Sequence, residues 1–96
     1  MKTIDSKTFW QRIVKLGPAG RRVSAKPIYF YRHVVEKGKE KLFFRSDGAA
    51  KDYRILKPKV EEYFNMLYHE KVDVAWFVQN RSIWFYDVFR DVMNLE

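Results

Sequence analysis

The chain has 96 residues, of which 47% are hydrophobic and 18% aromatic. That length suits a single core, so residues 1–96 are read as one domain, and the absence of cysteine excludes a disulfide framework and a thiolate metal site. The formal net charge of +7 is unevenly placed: residues 11–59 carry 14 Lys or Arg against four acids, and the rest carry five against eight.

Asp5 or Ser6 can cap a first helix, predicted over 6–16. Phe9, Ile13 and Leu16 fall on one face, and Gly17-Pro18 ends the periodicity. The exposed side would carry Lys7, Gln11, Arg12 and Lys15. Residues 19–27, AGRRVSAKP, form a cationic loop or irregular edge able to follow a phosphate backbone.

IYFYRHVVE (28–36) and EKLFFRS (40–46) read as two strands of a hairpin. With Gly38-Lys39 as its turn, Tyr31, His33, Val35, Leu42 and Phe44 share one face. Phe30, Arg32, Val34, Phe43 and Arg45 share the other. In that register Arg32 lies opposite Arg45, an unfavourable pair unless a bound phosphate or an acid neutralises it. Asp47-Gly48 marks a second turn, and KDYRILK (51–57) a third strand. Pro58 opens a second amphipathic helix at 58–70, with Val60, Tyr63, Phe64 and Leu67 on its apolar stripe.

VDVAWFVQNRSIWFYDV (72–88) is rich in residues that favour strands and is broken by Gln79-Asn80-Arg81-Ser82, so it reads as a second hairpin. Both of its faces would be apolar, which calls for cover on both sides and motivates a homodimer. A short helix at 88–95 closes the chain. The expected fold is therefore α+β: an antiparallel sheet of two hairpins plus a short strand, covered by two main helices and a short C-terminal helix.

The sequence holds no phosphate-cradling Gly-Lys-Ser/Thr loop, no dinucleotide fingerprint and no His-Glu-x-x-His pair. His33 and His69 stand in no recognisable catalytic context, and no cofactor is called for. Asp73 and Asp87, on the two strands of the second hairpin, would oppose each other with a three-residue loop and could then hold a divalent cation as nucleases do, whereas a two-residue turn would put them on opposite faces. The order helix, three-strand meander, helix resembles that of the double-stranded RNA-binding domain in element order alone. The lysine-rich opening of that family's second helix is replaced here by Pro58-Lys59-Val60-Glu61-Glu62.

The basic half points to non-enzymatic nucleic-acid binding of low sequence specificity, to DNA or RNA. Phosphates would be met by Arg21, Arg22, Lys26, Arg32, Lys37, Lys39, Lys41, Arg45, Lys51 and Arg54. Tyr29, Tyr31 and Phe43, where exposed, would stack on bases. The alternative is a protein-interaction module, a small inhibitor or assembly factor, anchored by Trp76, Trp84 and Tyr86 on the aromatic hairpin. The N-terminus lacks the apolar run of a secretory signal, and residues 72–88 break before the roughly 20 apolar residues a membrane span needs. An intracellular, cytoplasmic protein without a membrane partner is expected.

Overall fold

Asp5 starts the first helix by accepting a bond from the Thr8 amide at 2.7 Å, which satisfies one of the donors a helix N-terminus leaves open. In the computed structural model, which describes residues 4–24, 28–48 and 51–95, this helix, α1, runs Ser6–Val14. It buries Phe9, Trp10 and Ile13. Its Arg12 reaches across to donate to the Val92 and Met93 carbonyls, at the C-terminal end of another helix, where a cation is favoured.

Four strands follow: β1 (Arg21–Val23), β2 (Tyr29–Glu36), β3 (Lys39–Ser46) and β4 (Tyr53–Leu56). They form an antiparallel sheet in the order β1-β2-β3-β4. The predicted irregular edge at 19–27 thus contributes a three-residue edge strand. Helices α2 (Lys57–Tyr68), α3 (Val74–Asn80) and α4 (Ile83–Met93) complete the chain. Among the described residues, no helix is long and apolar enough to cross a membrane.

The β2–β3 turn is Lys37-Gly38, one residue earlier than predicted, so Glu36 pairs with Lys39. Moving a two-residue turn by one residue shifts the pairing by two. Side chains therefore keep their predicted faces while their partners change. Arg32 now stands opposite Phe43, and Arg45 opposite Phe30. The predicted Arg32–Arg45 pair does not form, and with it goes the like-charge conflict that called for a bound phosphate or an acid.

Tyr31, Leu42 and Phe44 point to the helices and join Phe9, Phe64, Phe77, Phe85, Val88 and Val92 in one core. The opposite sheet face carries Phe30, Arg32, Val34, Phe43 and Arg45. Gly20 sits at the entry to β1 with φ +63, and a Cβ there would lie 2.5 Å from the Tyr31 carbonyl oxygen and 2.7 Å from Arg32 Cβ. Gly17, at φ +70, has nothing within 4 Å of such a Cβ. Gly17→Ala should therefore cost only the left-handed strain, about 1–2 kcal/mol. Gly20→Ala adds a backbone collision and should cost clearly more, which urea unfolding of the two variants will compare.

The α+β class and the helix-covered sheet are as expected, but the second hairpin is not formed. Residues 72–88 instead contribute α3 and most of α4. Gln79-Asn80-Arg81-Ser82 is a helix-to-helix junction: the Arg81 amide closes α3 on the Phe77 carbonyl at 2.8 Å, and the Ser82 hydroxyl caps α4 by accepting from the Phe85 amide at 2.9 Å. The ribbon with two apolar faces is absent, so the ground for a homodimer is removed.

Candidate nucleic-acid interface

Directly opposed residues of an antiparallel pair lie on the same face, so the register alone lays out the uncovered side of the sheet. Arg22 opposes Phe30, and Phe30 opposes Arg45. One row further along, Arg32 opposes Phe43, and Phe43 opposes Arg54. Each phenylalanine is thus flanked across the strands by two arginines. The two rings meet edge to face, with centroids 6.0 Å apart. Arg32 and Arg54 lie over the Phe43 ring, their guanidinium carbons 5.2 and 5.1 Å from its centre. Lys41 and Lys39 extend the same face toward the β2–β3 turn.

Three carboxylates share this surface. Asp47 pairs with Arg22 at 2.6 Å, Asp52 with Arg45 at 3.6 Å, and Glu36 with Arg54 at 2.8 Å and Lys41 at 3.3 Å. Burial pushes the Glu36 carboxyl up, but hydrogen bonds from Arg54 and Lys41 outweigh it and hold the group below the usual carboxylate range. Arg32 differs from its neighbours. Among the described residues it has no carboxylate partner; its Nη1 donates weakly to the Pro18 carbonyl at 3.5 Å, and its buried Nε has no partner. The face holds six cations against three acids, so a positive excess remains.

Most predicted contact residues fall on or beside this surface, and some do not. Arg22, Arg32, Lys39, Lys41, Arg45 and Arg54 converge. Lys37 lies in the turn at the end of the sheet, and Lys51 is exposed ahead of β4. Lys26 lies outside the described residues. Arg21 turns to the helical side, where its guanidinium binds Asp91 of α4. Phe43 is 7% exposed, because the two arginines cover it. A base would meet the guanidinium planes rather than the ring.

Tyr29 and Tyr31 are buried and cannot stack on a base. They point to α4: Tyr29 donates to the Asp87 carbonyl at 3.0 Å and Tyr31 to the Asp91 carboxylate at 2.6 Å. Desolvation pushes the Tyr29 hydroxyl up from 10.0 to about 12, and nearby Asp91 and Asp87 add to the shift. Burial, and then the bond to Asp91, push Tyr31 up as well. A phenol whose pKa is raised by folding contributes stability that is complete below its unfolded pKa and lost as pH rises through the folded one. Resistance to urea should therefore fall between pH 10 and about 12. Tyr29→Phe and Tyr31→Phe should each flatten that decline, whereas exposed tyrosines would leave it unchanged.

Phe30, the half-buried ring beside Phe43, is the member of the platform not named as a contact from sequence. The signal was present in the strand alternation: Phe30 shares parity with Arg32, while Tyr29 and Tyr31 share theirs with the core residues Leu42 and Phe44.

The two other predicted sites lose their framework with the second hairpin. Asp73 is the exposed residue before α3, and Asp87 lies on α4, partly buried and pushed up by desolvation. No strand pairing sets them face to face, and among the described residues no three His, Asp or Glu side chains gather as a metal site. Trp76, Trp84 and Tyr86 do not line one ribbon either. Trp84 packs on Phe44 with centroids 5.5 Å apart, Arg81 lies over Trp76, and Arg90 lies over Tyr86. No protein-family model, curated protein or solved structure matches the chain.

Proposed function

We propose that the uncovered face of the sheet binds nucleic acid without catalysis and with low sequence specificity. One observation carries this reading: two arginine–phenylalanine–arginine rows lie side by side on a sheet whose other face is sealed by helices. Guanidinium groups suit phosphate because their donors form a rigid fork, and their planes also accept the flat face of an unpaired base. Exposed ion pairs hold their partners weakly, at about 0–1 kcal/mol. A polyanion that releases condensed counterions can therefore displace Asp47 and Asp52 from their arginines. Contacts of this kind position a backbone and read little sequence.

Fluorescence polarisation against single- and double-stranded DNA and RNA of mixed sequence tests the proposal. The expected result is binding that weakens steeply with salt and depends little on sequence. Retention of affinity at high salt, or absence of binding to every polymer at low salt, would remove it.

A further inference from the structure

A cavity of about 400 Å³ opens between β4 and the start of α4. It shares Arg54 and Leu56 with the uncovered sheet face and otherwise lies toward the helices. Phe44, Tyr63, Trp84 and Val88 supply much of its apolar wall, and Arg54, Lys59 and Arg81 line it as well. This is the usual make-up of a ligand pocket: largely apolar, with few charged groups.

The strand beside it is an open edge. β4 pairs with β3 and, among the described residues, with no strand on its other side. All four of its residues, Tyr53 to Leu56, line the cavity. Successive side chains of a strand point to opposite faces, so one face cannot supply all four contacts, and the backbone edge itself forms part of the wall. Natural sheets blunt or cover such edges, since their unpaired amides and carbonyls template another strand. Here the edge is left with exposed apolar side chains: Tyr53 and Leu56 on β4, and Ile83 next to the cavity residues Ser82 and Trp84.

We propose that β4 accepts, as a fifth strand, an extended peptide whose apolar and acidic residues lie two positions apart and so share one strand face. Main-chain hydrogen bonds to β4 provide the register. An apolar side chain on the helical side enters the cavity against Trp84 and Val88. Carboxylates of the same segment meet the cations around the opening. Arg81 is the best placed of these for a new partner: it is exposed and, among the described residues, has no carboxylate, whereas Arg54 is shared with Glu36 and Lys59 with Glu62. Edge addition with one pocket for an alternate side chain is a recurrent way of recognising peptides. The inference does not rest on the nucleic-acid reading: of the cations at the cavity only Arg54 belongs to the uncovered sheet face, whereas Lys59 is on α2 and Arg81 joins α3 to α4.

The probe is a synthetic peptide of Leu-Thr-Glu-Thr repeats, in which Leu and Glu alternate along one strand face, added to the isotope-labelled full chain and followed by amide and indole chemical shifts. Saturable shifts are expected at residues 53–56, at Arg81 and at the Trp84 indole. A peptide of the same composition with its Leu and Glu in separate blocks should bind much more weakly, as should the alternating peptide methylated at its backbone amides. Arg81→Glu should weaken binding roughly tenfold by reversing one charge at the opening, and Arg32→Ala should leave it unchanged. Shifts confined to the Arg32 and Arg45 face, equal binding of the block peptide, or a light-scattering dimer in which a second copy already protects the 53–56 amides would each overturn the proposal.

Discussion

Replacing Arg32 and Arg45 together with alanine is expected to lower affinity for nucleic acid by roughly tenfold per arginine, since one charge-assisted bond contributes about 1.5 kcal/mol. The salt dependence should change with it. Each phosphate contact contributes roughly 0.7–0.9 to the slope of log K against log salt, so the double variant should lose about 1.5 of that slope. The two arginines are not equivalent. Arg45 leaves Asp52 when it meets a phosphate, whereas Arg32 has no carboxylate to leave among the described residues. Arg32→Ala alone should therefore weaken binding more than Arg45→Ala alone. Asp52→Asn should act in the other direction and tighten binding, because it frees Arg45 and removes a repelling charge. Lys7→Ala, on the exposed side of α1, and Lys15→Ala, at its C-cap, serve as controls, and an equal loss there would show that total charge and not this face governs affinity. An unchanged salt slope in the double variant would place the contacts elsewhere.

The first hairpin and the second show why some of this was legible in the sequence and some was not. In residues 28–46 the alternation is strict enough to sort every side chain onto its face. Parity survives a two-residue change of pairing, so the set Phe30, Arg32, Val34, Phe43 and Arg45 is the same in sequence and structure. What alternation cannot locate is the turn, because Lys37-Gly38 and Gly38-Lys39 both offer a glycine. The rows of arginine and phenylalanine depend on that one-residue choice. Residues 72–88 mislead for a different reason. Val, Ile, Phe and Trp favour strands as individual residues, but intrinsic preference is weak against tertiary burial. Phe85, Val88 and Val92 recur at spacings of three and four, and these are the buried residues of α4. Ser82 stands three residues before Phe85, where a helix cap is useful. The helical signal was there, masked by a short polar break that also suits a turn.

A paired substitution separates the two readings of that segment by a large margin. In a ribbon apolar on both sides, neighbouring Trp76 and Phe77 point to opposite faces and both require cover. In α3 only one of them does: Phe77 is 0% exposed and meets Tyr63 and Phe85 with ring centroids 5.2 and 6.1 Å away, while Trp76 is 40% exposed. Phe77→Ala should therefore cost about 3–5 kcal/mol, the usual loss for a buried phenylalanine. At roughly 4–8 °C per kcal/mol for a domain of this size, that lowers Tm by upwards of about 12 °C. Trp76→Ala removes mainly its contact with the Arg81 guanidinium and should cost less than about 1 kcal/mol. If Phe77→Ala leaves too little folded protein to melt, Phe77→Leu keeps most of the volume and should still rank well below Trp76→Ala in Tm. Comparable losses at both positions would mean that both side chains are covered, which a single helix laid against this core does not allow.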